Sequence, residues 1–206
     1  MAAFEHVFER GLSDWTLLLL HGTGGDERDV LGLGRATAPH ASLLSPRGQV
    51  SENGMARFFR RLAVGQLDIP DLLARTDELA EFVSQSVAAH GLDPARLVAV
   101  GLSNGANIAV SLLLRHPGLL RGAVLLRPML PYEPEQRPAL AGTAVLIAAG
   151  ERDPYSPARQ SERLADVLGE AGADVLRRVE RGAGHELREG DLRAAEAWMT
   201  ALMATD

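Results

Sequence analysis

Six short apolar runs punctuate the chain: Thr16 to Leu20, Ser42 to Ser45, Leu97 to Val100, Ala123 to Leu126, Ala144 to Ala149 and Val175 to Val179. Runs of this length, set between amphipathic segments, predict strands that bury both faces, and their alternation with helices predicts a mainly parallel sheet joined by crossovers. Phe4 to Arg10 differs, because its apolar and polar residues alternate at period two. That pattern predicts an antiparallel edge strand. Helices are expected from about Asp29 to Ala38, from Asp71 to His90, after Ser103 to Arg115, from Pro157 to Ala171 and from Asp191 to Met203. Gly91, Pro117 and Gly172 supply stops. Within the longest of these, Leu72, Leu73, Leu79, Phe82, Val83 and Val87 recur at helical spacing and predict a stripe facing the core.

The whole chain, residues 1–206, reads as one α/β domain. No repeat or low-complexity tract divides it. The proline-rich stretch from Pro128 to Pro138 suits a surface loop after a strand. No segment is long enough for a separate lid domain.

Against this background Gly101-Leu102-Ser103-Asn104-Gly105 carries the chemistry. It lies directly between a predicted strand and a predicted helix, the setting of a nucleophile elbow, in which a serine sits on a strained turn flanked by glycines where strand and helix crowd together. A tight turn in an α/β sheet is the plainer alternative. The following helix would aim its first N–H groups at the serine, with the Asn104 N–H donating to a developing oxyanion.

A serine hydroxyl needs a base, and the base needs a group to orient it. Of the six histidines, His6, His40, His90 and His116 sit at edges, helix ends or beside proline. His21 ends the first long strand, where a structural hydrogen bond to the glycine-rich loop is expected. His185, in Gly182-Ala183-Gly184-His185-Glu186 between the last strand and the last helix, is the expected general base. Asp153 follows the Ala144 to Ala149 run and is the expected orienting acid, with Glu151 a close competitor. The order Ser103, Asp153, His185 is the one this elbow brings with it. Thr23, in His21-Gly22-Thr23-Gly24-Gly25, is expected to give a second oxyanion N–H, since the glycines let that backbone approach a substrate.

Composition removes other chemistries. There is no cysteine, so disulfides, thiolate nucleophiles and cysteine-ligated metals are excluded. All 21 basic residues are arginine, which excludes Schiff-base catalysis and a Walker-type lysine at the glycine-rich loop. A dinucleotide site is disfavoured, because residue 27 is Glu and Asp26 to Asp29 is acidic where a pyrophosphate would sit. No cofactor and no metal are expected. The net charge of −6 argues against nucleic acid or an anionic membrane as partner. Apolar runs far shorter than a bilayer, and the lack of a basic-then-apolar leader, point to a cytoplasmic protein.

The stretches 20–27, Ser51-Glu52-Asn53-Gly54-Met55-Ala56-Arg57-Phe58-Phe59-Arg60-Arg61 and 101–107 resemble the phospholipase/carboxylesterase branch of the α/β-hydrolases, and within it the small bacterial carboxylesterases linked to hydroquinone and quinone stress. The likeness runs from about Leu17 to Trp198. It implies an α/β-hydrolase fold without a lid, a serine esterase acting on small carboxylic esters, Ser103, Asp153 and His185 as triad, Thr23 and Asn104 as oxyanion donors, no cofactor and a homodimer. Related thioesterases and lysophospholipases carry a different aromatic stretch where this chain has Arg57-Phe58-Phe59-Arg60. They stand as the alternative, together with a catalytically silent binding scaffold. Phe58, Phe59 and Met129 are candidates to wall the substrate pocket, and Arg57, Arg60 and Arg61 either meet a substrate carboxylate or are solvated.

Overall fold

The computed structural model describes residues 4–205; the ends of the expected 1–206 domain, residues 1–3 and 206, lie outside it. In chain order the elements are β1 (His6–Glu9), β2 (Thr16–Leu20), α1 (Leu31–Thr37), β3 (Ser42–Pro46), β4 (Val50–Glu52), β5 (Met55–Arg57), β6 (Arg61–Ala63) and β7 (Gln66–Leu67). They continue with α2 (Ile69–His90), β8 (Leu97–Leu102), α3 (Asn104–Arg115), β9 (Gly122–Leu126), β10 (Ala144–Gly150), α4 (Ala158–Glu170), β11 (Asp174–Glu180) and α5 (Glu189–Met203). Seven strands form one sheet in the order β1-β3-β2-β8-β9-β10-β11. β1 pairs antiparallel with β3, and the other pairings are parallel. This is the α/β-hydrolase architecture expected from the sequence, with no lid domain among the described residues.

Strand pleating sorts the apolar runs into two layers. Leu18, Leu20, Leu44, Leu97, Ala99, Ala123, Leu125, Val145 and Ile147 face the core under α2, α3 and α4. Leu17, Leu19, Leu43, Val98, Val100, Val124, Leu126, Leu146 and Ala148 face α1 and α5. Leu17, Leu18, Leu19 and Leu20 are all 0% exposed, which is why their run is apolar without alternation; each contributes roughly 1.5–3 kcal/mol of transfer free energy before entropy is counted. The outermost strand β11 has a neighbour on one side only and alternates accordingly, with Leu176 exposed and Val175 packed against the core.

Helix ends differ from expectation where capping outweighs apolar periodicity. α2 begins at Ile69 because the Asp68 side chain accepts from the Asp71 N–H and Pro70 sits in the first turn, where its missing N–H costs nothing. Gly91, left-handed at φ 60°, ends it. α5 starts at Glu189 because Asp191 accepts from the Arg188 N–H, the reach-back of a capping box. Among the described residues no helix is long and apolar enough to cross a membrane.

The chain passes from β2 to β3 on one side and continues at β8 on the other, so the strand order reverses between β2 and β8. A crevice therefore opens at the carboxyl ends of those two strands. There α3 descends almost onto the sheet. A Cβ on Gly105 would stand 2.0 Å from the Leu20 carbonyl oxygen, and one on Gly101 would stand 2.6 Å from that of Gly105. Backbone lies on both sides of each contact, so nothing can yield. Gly105→Ala is expected to cost about 3 kcal/mol or more of stability, read as a lowered urea midpoint. Gly32→Ala, on a helix position with open space around it, is the matched control and should be neutral or slightly stabilising.

Candidate active site

Ser103 occupies the turn from β8 into α3 at φ 52°, ψ −109°, a backbone conformation rarely adopted by residues other than glycine. Its N–H donates to the Leu126 carbonyl at 2.9 Å and its carbonyl accepts from the Asn107 N–H at 2.9 Å. These bonds hold the turn to β9 and to the first turn of α3. The Asn104 N–H is the first of α3 and has no intrahelical acceptor. It stands at the positive end of a helix that is buried from Asn104 to Leu114.

His185, in the turn between β11 and α5, bridges two side chains brought from other strands. Its Nδ1 lies 2.7 Å from Asp153 Oδ2 and its Nε2 lies 2.8 Å from Ser103 Oγ. An ionised carboxylate only accepts, so Nδ1 carries the proton of a neutral ring and Nε2 accepts from the hydroxyl. Asp153 is 4% exposed, and its other oxygen accepts the N–H groups of Tyr155 at 2.8 Å and Ser156 at 3.0 Å. A short carboxylate in a post-strand turn is thus fixed by its own loop. Glu151, the competing acid, turns away and accepts the Gly182 N–H at 2.7 Å. The arrangement can take a proton from a hydroxyl while a buried negative charge faces the far side of the imidazole.

The crevice above Ser103 encloses about 320 Å³, walled by Thr23, Met55, Arg57, Arg61, Leu67, Met129 and Tyr155 beside the serine and imidazole. Met129 lines it. Phe58 and Phe59 do not: they are 2% and 0% exposed and belong to the core beneath α2 and α3. Period-two alternation cannot hold across two adjacent aromatics that leave the strand, and both turn inward, Phe58 against the His21 ring. Arg57 and Arg61 line the crevice instead. Arg57 Nη1 donates to Thr23 Oγ1 at 2.5 Å, and the Asn104 side chain accepts the Phe58 N–H at 2.8 Å. Arg60 pairs outside, with Asp68 and Asp71.

His21 is fully buried and structural. Its Nδ1–H donates to the Gly22 carbonyl at 2.7 Å and its Nε2 accepts from the Gly48 N–H at 2.9 Å. Accepting at Nε2 requires the neutral ring, and burial holds its pKa below the ordinary 6.5. A larger groove, of about 590 Å³, runs along α2 between Phe4, Phe82 and His90. It shares no residue with the Ser103 crevice. Among the described residues no three His, Asp or Glu side chains gather as metal ligands.

Two parts of the site escaped the sequence reading. The first is a pair of hairpins, β4–β5 and β6–β7, each paired only within itself, whose strands are too short for periodicity to register. Their signal is in the turns: Asn53-Gly54 has positive φ at both residues, 52° and 82°, the requirement of a tight two-residue hairpin. The second is Arg127, directly after β9 and 1% exposed. Its guanidinium donates to the carbonyls of Gly184 at 3.1 Å and Glu186 at 2.7 Å, on either side of His185, and to both oxygens of Asp191 at 3.0 and 2.6 Å. One buried ion pair therefore ties the imidazole's loop to β9 and to the start of α5.

The sequence pattern of the phospholipase/carboxylesterase family matches residues 10–203. MhqD of Bacillus subtilis (strain 168) is 45% identical over 194 residues, 94% of this chain and 96% of its own. A carboxylesterase from Bacillus cereus superposes with a TM-score of 0.92 at 46% identity, covering 95% of this chain and 92% of its own. One from Mesorhizobium loti does so with 0.87 at 34%, covering 92% and 90%.

Arg127→Met strands Asp191 as an uncompensated buried charge and is expected to cost about 3–5 kcal/mol. The double variant Arg127→Met, Asp191→Leu should recover part of that loss in urea unfolding. His21 sets a pH dependence. The unfolded chain titrates it near 6.5 and the folded chain lower, so between those values the unfolded state binds the extra proton. Stability contributed by His21 is complete above about pH 6.5 and is lost as pH falls through the folded value. Unfolding midpoints at about pH 7.5 and 5 should differ less for His21→Gln than for the parent.

Proposed function

The chain belongs to the phospholipase/carboxylesterase family of α/β-hydrolases, and from that premise we propose that it hydrolyses small carboxylic esters through a covalent acyl-enzyme, with Ser103, His185 and Asp153 as its triad. The observation that carries this reading is the imidazole of His185 within hydrogen-bond reach of both the Ser103 hydroxyl and the Asp153 carboxylate.

Ser103 Oγ attacks the ester carbonyl as its proton passes to His185 Nε2. Asp153 keeps the ring in the required tautomer and stabilises the imidazolium. The carbonyl oxygen, now an oxyanion, receives the N–H groups of Thr23 and Asn104. Collapse expels the alkoxide, which takes the proton from His185 and leaves as the alcohol. Water then attacks the acyl-enzyme, giving its proton to His185 Nε2. The second tetrahedral intermediate collapses, returning a proton to Ser103 Oγ and releasing the acid. No cofactor enters this sequence. A crevice of about 320 Å³ supports short acyl groups over the long chains of lysophospholipids.

With p-nitrophenyl acetate and butyrate, wild type should turn over and Ser103→Ala and His185→Ala should lose about 10⁴-fold or more in kcat, with unfolding curves unchanged enough to show folded protein. Equal rates for Ser103→Ala and wild type would sink the reading. A rate that climbs steadily toward long acyl chains would move the substrate to lysophospholipids or long thioesters.

A further inference from the structure

We infer that the ester taken by this site carries a carboxylate, held by Arg61 and Arg57 on the hairpin wall; the inference rests on the esterase reading above. The residues that line the crevice include these two arginines and no aspartate or glutamate. In a chain of net charge −6, the crevice is a local reversal of sign. The nearest acid behind the wall is Glu52, whose Oε1 accepts from Arg61 Nε at 2.9 Å and whose Oε2 lies 3.2 Å from Arg57 Nε. One carboxylate is thus shared by two guanidiniums, leaving one positive charge over. Asp153 does not cancel it at the mouth, since it is buried behind the imidazole with its oxygens occupied by His185, Tyr155 and Ser156.

The donor inventory agrees. A guanidinium has five N–H donors in a planar fork that fits a carboxylate. Among the described residues the guanidinium of Arg61 hydrogen-bonds through its Nε alone, and its side chain is 25% exposed, which leaves its Nη donors for a ligand. Arg57 is more deeply set. It is 3% exposed, anchored to the Phe59 carbonyl at 3.1 Å and to Thr23 Oγ1 at 2.5 Å. That second bond joins the charge to the residue proposed as an oxyanion donor, so the cation sits within one side chain of the reacting carbonyl. Keeping a guanidinium charged while largely removed from water is costly unless an anion completes its shell. Glu52 does so only in part, and a substrate carboxylate supplies the remainder.

The test compares esters matched in size and leaving group but differing in charge. For the acyl half, mono-p-nitrophenyl adipate is set against p-nitrophenyl hexanoate; for the alcohol half, p-acetoxybenzoate is set against p-acetoxybenzamide. In wild type at low salt, the anionic member of at least one pair is expected to show kcat/KM on the order of tenfold higher, carried by KM, and the pair that shows it identifies which half faces the arginines. In Arg61→Gln that ratio should fall toward one, whereas Arg61→Lys should keep most of it. The ratio is read within each variant, so a general loss of activity does not obscure it. Wild-type ratios at or below one in both pairs, with the neutral esters turned over, would overturn the carboxylate and leave the esterase reading standing. An undiminished ratio in Arg61→Gln would overturn the assignment to Arg61. Failure of folded wild type to cleave any of the four removes the esterase reading and this inference with it.

Discussion

How near α3 comes to the ends of β2 and β8 governs everything that surrounds Ser103. The approach is closer than any side chain permits, which forces glycine at 101 and 105 and leaves the serine between them on a turn at φ 52°. Such backbone strain costs about 1–3 kcal/mol. It is offset by the burial of α3 along nearly its whole length and by the hydrogen bonds from the turn to β9 and to the helix. Because the strain projects the hydroxyl out of the sheet, the same geometry that crowds the backbone presents the nucleophile.

The remaining groups reach the serine from elements of quite different rigidity. Asp153 follows a strand whose neighbours flank it on both sides, and its own loop amides clamp it. His185 has no such support, since its loop follows the edge strand β11 and is rich in glycine. The loop is instead gripped from below by Arg127, a non-glycine residue at φ 56° that spends backbone strain to aim its guanidinium at the carbonyls flanking the imidazole. An ammonium, with three donors, could not meet two carbonyls and both carboxylate oxygens at once. Arginine's planar fork can, and all 21 of the strongly basic side chains in this chain have that shape.

Much of this was legible before any coordinates. Elements buried on both faces announced themselves as unbroken apolar runs. The elbow was readable because glycine spacing, a strand before and a helix after are all local properties. Chain order then ranked Asp153 and His185, though Glu151 remained open until the turn geometry separated them. What stayed hidden depends on contacts far apart in sequence. Arg127 and Asp191 are 64 positions apart, and no periodicity marks a charge that will be buried by pairing. Phe58 and Phe59 misled because aromatic side chains beside a site suit a pocket and a core equally well; only the path of the chain after β5 decides, and it turns both inward while Arg57 faces the cleft.

The crevice's outer wall has an architectural consequence. The strands of β4–β5 and β6–β7 form ladders only within each hairpin, and the second raises Leu62 and Val64 into solvent at its tip. None of the sheet's ladder depends on them. Evolution can therefore lengthen, shorten or recolour this parapet while the machinery below stays in register, so that descendants with one shared engine accept quite different cargo.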